Sequence, residues 1–295
     1  MTIKLSILIA SWNGVESLRR CLTSLIKQAE TEAEVIAVSN FSTKDLADDA
    51  RFSFVKFIEL AAEITVPQLR SYGIGLSNGE IIALAEDHCF FDENWCQDIK
   101  KAHESNLAAI GGAIENADNS QALDWAVYFY DYGKYMPPNE AGETPTLSGF
   151  NASYKKEVLD ELRENYADGF FETFFNEELK LRGHKLYLTD SAMIYHAKNY
   201  ELKKTLIQFY HLARSFAAKR VSAAPFSKRA AFAIVSLALP IILPTRIALN
   251  IIKKKRHIKE LVSSFPLIIT LMSAWSWGEF CGYLGGEGTS ASKWK

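Results

Sequence analysis

Glu80-Ile81-Ile82-Ala83-Leu84-Ala85-Glu86-Asp87-His88 is the stretch that decides the fold. An unbroken apolar run of this length suits a strand buried on both faces, and it stops abruptly at an acidic triplet. Carboxylates at the carboxyl end of a buried strand sit where open α/β sheets bind ligands. Towards the amino terminus, Pro67 opens a helix that runs through Leu76, and Phe54 to Leu60 reads as a strand. Phe41-Ser42-Thr43-Lys44-Asp45 is turn chemistry with hydroxyls able to cap a helix, and Glu34 to Val38 is another strand. Glu16 to Gln28 is a helix with Leu18, Cys21, Leu22 and Leu25 on one face, and Ile3 to Ala10 is the first strand. Towards the carboxyl terminus, a helix and strand lead from Asp92 to Gly111-Gly112, and Asp131 to Pro145 reads as a mobile loop rich in Tyr, Asp, Pro and Gly. Lys155 to Arg163 reads as a helix, and a second helix ends at Arg182-Gly183, where Gly183 supplies a left-handed cap. Lys185 to Leu188 and Ala192 to Tyr195 are the last strand-like pieces, closing on His196. Strands alternating with helices predict a parallel-rich α/β layer fold.

The chain has 295 residues, 48% of them hydrophobic, enough for one large α/β domain with an appendage. A formal net charge of −2 provides no basic field for nucleic acid, which is excluded as a partner. Four cysteines with no CxxC pair read as reduced thiols rather than a zinc site or a disulfide scaffold. Met1 runs straight into the first strand without a signal-peptide pattern, so the amino-terminal domain is expected in the cytosol. Composition changes near Ser215, which divides the chain into domains 1–215 and 216–295. In the second, the apolar segments Ala230 to Ile252 and Leu261 to Gly278 flank the basic run Lys253-Lys254-Lys255-Arg256-His257-Ile258-Lys259. Pro240, Pro244 and Arg246 interrupt the first segment, and a double span would put the basic loop on the wrong side for the positive-inside tendency. In-plane or re-entrant helices with the basic residues on anionic headgroups are expected, against the alternative of a buried helical hairpin.

The order of motifs over about residues 4 to 200 resembles the bacterial family 2 glycosyltransferases, which have the GT-A fold. Ser6-Ile7-Leu8-Ile9-Ala10-Ser11-Trp12-Asn13 is similar to the family's opening strand and nucleotide-contacting loop, with Trp12 where an aromatic packs on the base. Val35 to Asp45 is similar to its second strand, with Ser39 and Asn40 in place of paired aspartates. Leu69-Arg70-Ser71-Tyr72-Gly73-Ile74 with Gly79-Glu80 resembles the helix and turn where an Arg holds donor phosphates. Glu86-Asp87-His88 stands where the family has its DxD-like element, and Ser148 to Tyr154, with Gly149 and Asn151, resembles the segment near the acceptor. Counting back from Gly183 sets the family's base on Glu172, with Glu177 and Glu178 as further candidates, and His196 falls where a histidine completes a metal site.

The resemblance implies a nucleotide-diphospho-sugar transferase with a Rossmann-like mixed sheet and a C-terminal hydrophobic helical appendage. It implies inverting, metal-dependent transfer of a hexosyl or related group from a nucleotide-diphosphate sugar to a lipid-linked or polysaccharide acceptor at the cytoplasmic face of the inner membrane. Asp87 and His196 would bind Mg²⁺ or Mn²⁺, because hard oxygen ligands holding a divalent cation neutralise the leaving phosphates. Glu172 would be the base, since a carboxylate must take the acceptor proton during attack. Trp12, Ser39, Asn40, Arg70, Glu86, Gly149 and Asn151 would bind substrate. The alternative is a degenerate GT-A domain that binds nucleotide sugar or a partner enzyme without turnover. A nucleotidyltransferase lacks support, because no Gly-rich phosphate loop follows the first strand.

Overall fold

The computed structural model describes residues 4–117, 121–290 and 293. Ile3, the expected start of the first strand, lies outside them. Contacts divide the chain into two compact units, Met1–Ala117 with Tyr135–Ala197, and Asp118–Lys134 with Lys198–Lys295.

The first unit begins β1 (Leu5–Ser11), α1 (Val15–Glu32), β2 (Ala33–Ser39), α2 (Lys44–Ala47), β3 (Val55–Glu59), α3 (Val66–Leu76) and β4 (Ile81–Glu86). β5 (Cys89–Phe91), α4 (Trp95–Ala102), β6 (Ala109–Gly111) and β7 (Ile114–Asn116) follow. In the second unit lies α5 (Ala122–Asp131). The first unit resumes with β8 (Gly142–Glu143), β9 (Ala152–Lys155), α6 (Lys156–Glu161), α7 (Glu172–Leu181), β10 (Leu186–Leu188) and β11 (Ile194–His196).

Eight strands form one mixed sheet in the order β3-β2-β1-β4-β9-β6-β10-β8, and β5-β11-β7 form a second, small sheet. β3, β2, β1 and β4 are parallel, whereas β9 runs antiparallel between β4 and β6. All of β1 and β4 is buried, which is why both read as unbroken apolar runs. Each fully buried Leu or Ile there contributes roughly 1.5–3 kcal/mol. Helix α3 lies directly on β1, since a Cβ at Gly73 would come within 2.1 Å of Leu8 Cδ1. Gly183 is left-handed at φ 85°, as the cap requires.

Two expectations need correction. The helix expected from Lys155 begins at Lys156, because Ala152–Lys155 before it is a central strand; paired on both sides, that strand cannot be read from four residues of its own. The segment Asp131 to Pro145 is not wholly loose, because Tyr135 and Met136 are buried and β8 pairs with β10.

The second unit is helical: α5, α8 (Leu202–Arg220), α9 (Phe226–Ser236), α10 (Leu239–Lys254) and α11 (Ile258–Gly285). Position 215 falls inside α8, which packs along α11 through small residues. A Cβ at Gly278 would sit 2.9 Å from Ala213 Cβ, and one at Gly282 would sit 2.8 Å from Ala217 Cβ. Close backbone approach of this kind needs glycine.

Candidate active site

β1 and β4 are sheet neighbours although two strands and three helices separate them in the chain. Strand order turns back here, opening a crevice beyond their carboxyl ends. Ala10 registers with Glu86, so Ser11-Trp12-Asn13 lies beside Glu86-Asp87-His88.

Asp87 organises that junction. Its Oδ2 accepts from Ser11 Oγ at 2.7 Å, Trp12 N at 3.1 Å and Asn13 N at 2.8 Å, and its Oδ1 accepts from Asn13 Nδ2 at 2.6 Å. Three donors thus crowd onto Oδ2 while Oδ1 accepts one, and all four tie the carboxylate to the β1–α1 loop. The group expected to carry a cation is therefore an anchor for the β1–α1 loop. Asn13 supplies two of those bonds, a role that its place in the opening motif did not announce.

Glu86 points the other way. Arg70 pairs through Nη2 with Glu86 and through Nη1 with Glu172 Oε2, the latter at 2.9 Å. Arg70 and Glu86 are buried, while the Glu172 side chain keeps 31% of its surface exposed. Burial works against the Arg70 charge, but Glu86 and then Glu172 outweigh it and raise its pKa. One guanidinium shared by two carboxylates has no net positive charge left for a diphosphate, so the expected phosphate ligand is instead a clamp on the two acids. Gly149 makes room for it: a Cβ there would lie 2.8 Å from both Arg70 Nη2 and Glu172 Cδ. Burial pushes the nearby Tyr154 phenol up, and the Glu172 charge adds to that shift. Glu177 and Glu178 form surface pairs with Lys180 and Arg182 instead.

His88 and His196 come together from strand ends more than a hundred residues apart. Ala197 N donates to His88 O at 2.8 Å, and His196 registers with Cys89. The rings meet edge to face with centroids 4.9 Å apart. Phe150 walls the pair, 5.2 Å from the His88 ring and 6.0 Å from that of His196. His88 Nδ1 is 3.3 Å from Glu86 Oε2. Among the described residues, no three His, Cys, Asp or Glu side chains converge as a complete cation site. Two imidazoles fit a cation whose remaining ligands come from a diphosphate. Neither the His88 contact nor the Phe150 wall had a sequence signal, because the meeting is purely tertiary.

The remaining expected residues divide. Trp12 is half-buried, its ring 5.8 Å from that of His88. Asn40 follows β2 directly, half-buried, with Nδ2 reaching Ala62 O at 3.4 Å. Ser39 is buried and donates to Phe41 O at 2.8 Å, which makes it a turn-forming residue. Asn151 is a keystone: Oδ1 accepts from Trp95 Nε1 at 2.8 Å, and Nδ2 donates to Ala113 O at 2.8 Å and Ala192 O at 2.9 Å. Its amide is committed to holding three segments rather than to substrate. The left-handed φ of 63° suits Asn better than most residues.

The family model described as glycosyl transferase family 2 matches residues 6–163. A crystal structure of GalNAc-T7 with UDP, GalNAc and Mn²⁺ is similar at 17% identity and TM-score 0.51, covering 68% of this chain and 44% of that one. This chain thus spans less than half the length of that relative. Staphylococcus aureus TarS, residues 1–349 in complex with UDP-GlcNAc, is similar at 15% identity and TM-score 0.53, covering 92% of this chain and 91% of the other. A second crystal structure of TarS residues 1–349 gives 14% identity and TM-score 0.50, covering 92% of this chain and 91% of the other. No curated protein matches significantly. At these identities the likeness is one of fold, and the fold is GT-A.

Proposed function

The chain belongs to glycosyl transferase family 2, and from that membership we propose that it moves a sugar from a nucleotide-diphosphate donor, with inversion, to a hydroxyl on a lipid-linked or saccharide acceptor at the cytosolic face of a membrane. The Glu86–Arg70–Glu172 clamp is the observation that carries this reading. It fixes one partly exposed carboxylate, Glu172, in a single orientation. In the proposed step the acceptor oxygen attacks the anomeric carbon while Glu172 takes its proton. The bond from that carbon to the diphosphate oxygen breaks, and the electron pair leaves with the nucleoside diphosphate. A single displacement of this kind inverts the carbon. Arg70 orients Glu172 through their ion pair, and Glu86 holds Arg70 in place. Trp12 and Asn40 border the nucleotide side. His88 and His196 would hold a divalent cation, Mn²⁺ in preference to Mg²⁺ because the protein donors are nitrogens. When bound, the cation neutralises charge on the leaving diphosphate.

A second reading, a domain that binds nucleotide sugar without turnover, is favoured by the commitment of Asp87 to structure. A thermal-shift screen of nucleotide sugars with and without Mn²⁺, paired with an assay for released nucleoside diphosphate, tests both. The expected result is one donor class raising Tm by roughly 5 °C near hundredfold saturation, more strongly with Mn²⁺, together with turnover. Binding without release would favour the second reading. No shift with any nucleotide sugar would overturn both.

A further inference from the structure

Residues 202–259 contain eight lysines and five arginines and not one Asp or Glu, in a chain whose net charge is only −2. The same stretch exposes several large apolar side chains. Ile234 is 70% exposed and Ile241 75%, and Phe226, Val235, Leu249 and Ile252 are exposed with them, all on α9 and α10. Lys204 and Arg220 pair with Glu201 and Glu279, but the exposed Lys253, Lys255 and Lys259 share the stretch with these water-facing apolar side chains, a combination that suits an occupant apolar and anionic at once.

Neither α9, of 11 residues, nor α10, of 16, can cross a bilayer alone, since a span takes about 20. They cannot act as one straight span either, because they meet at a bend of 57°. Its cause is local: the helix breaks at Leu237-Ala238, and Pro240, in the first turn of α10, has no N–H to carry the ladder back across.

Helix α11 is long enough, at 28 residues, but one face is already taken. Leu261, Ser264, Ile268 and Leu271 are buried at alternating spacings of three and four residues, and Gly278 and Gly282 continue the seam. A Cβ on Gly278 would lie 2.3 Å from Tyr210 O, and one on Gly282 would lie 2.4 Å from Arg214 O. Glu279 sits in the same face and accepts from Trp275 Nε1 at 3.0 Å and Tyr283 Oη at 2.9 Å. These contacts make α11 the core helix of its unit.

We propose that α9 and α10 lie in the plane of an anionic bilayer surface. Their exposed apolar side chains enter the headgroup–acyl boundary, and Lys253, Lys255 and Lys259 at the α10–α11 turn meet lipid phosphates. A nucleic acid would satisfy the cations but leave Ile234 and Ile241 in water, so a bilayer fits better. The turn is tight, with Lys255 at φ 56° and His257 at φ 54°, which gathers these cations at one end of α10. This surface deepens the membrane part of the function proposed above and is independent of the sugar chemistry.

The test adds the purified full chain to preformed vesicles of phosphatidylcholine alone or mixed with phosphatidylglycerol, and follows co-sedimentation. Strong binding to mixed vesicles and weak binding to neutral ones is expected. Lys253→Gln, Lys255→Gln and Lys259→Gln together should weaken it about a hundredfold, at about a tenfold or less per charge. Ile241→Asp with Ile242→Asp should abolish it while leaving donor turnover unchanged, which shows that the variant is folded. Equal binding to neutral vesicles, indifference to these substitutions, or a chain that stays in the supernatant would each overturn the proposal. If the wild type binds vesicles but turns over no nucleotide sugar, the enzymatic reading fails and this one stands.

Discussion

Glu86 and Asp87 are neighbours in the chain and belong to two different kinds of region. Around Asp87, four donors from Ser11, Trp12 and Asn13 reach both oxygens, and Asp87 and Ser11 are buried. Around Glu86, a buried guanidinium passes the constraint outward to Glu172, which keeps 31% of its side-chain surface exposed. A carboxylate saturated by fixed donors maintains shape. One held by a single partner, with surface left open, has capacity for chemistry. Asp87 is thus tied to the β1–α1 loop, whereas Glu86 is linked through Arg70 to the open carboxylate of Glu172, and substitutions can test whether that division is real.

The largest effect is expected at the open carboxylate. Glu172→Gln removes the base but keeps size and a hydrogen-bond acceptor for Arg70. It should lower kcat about a thousandfold with Tm nearly unchanged, as read by steady-state kinetics and calorimetry. Asp87→Asn should do the reverse, since an amide cannot accept from the same donors with both of its heavy atoms. A loss of about 3 kcal/mol of folding stability is expected in denaturant unfolding, because hydrogen bonds to a charged group are the strong ones. If Asp87→Asn instead lowered turnover with stability intact, the division between the two regions would be wrong.

A third buried group serves as a control away from both. His103 Nε2 lies 2.8 Å from Ser153 Oγ in β9, and its pKa is pushed down to about 4, first by burial and then by the charge of Lys155. The folded value lies below the ordinary 6.5, so the unfolded chain binds more protons between them and stability rises with pH across that window. The contribution is complete above about pH 6.5 and is lost as pH falls towards 4, on the order of 3 kcal/mol. His103→Gln should flatten that part of the stability profile relative to wild type and leave turnover at neutral pH alone. The smallest effect is expected from Gly149→Ala. The added Cβ meets only the flexible ends of Arg70 and Glu172, so the fold should survive while displacement of the clamp costs about tenfold in kcat. A variant with full activity would show that the clamp geometry is dispensable.

Much of the fold could be read in advance where burial is two-sided. β1, β2 and β4 are apolar almost throughout, and α1 and α3 carry their own periodicity and turn residues. What stayed hidden is structure made by pairing alone. The three-residue strands β5, β7 and β11 are too short for any period, and β9 owes its central place to strands on either side. The site divides in the same way. Motif order pointed to Arg70, Glu86, Glu172 and His196 one at a time. That Arg70 would bind two acids rather than a phosphate depends on a contact across 102 residues of chain, which no local pattern encodes. The filled oxygens of Asp87 were equally invisible, because two of the donors are backbone groups of the β1–α1 loop.

The central claim is that Glu172 takes the acceptor proton while the rest of the site binds donor without it. Measuring nucleoside diphosphate binding by calorimetry and sugar transfer by single turnover, in wild type and Glu172→Gln side by side, addresses it directly. Binding within about threefold of wild type and a transfer rate lower by about a thousandfold are expected. Equal transfer rates, or a loss confined to binding, would contradict it.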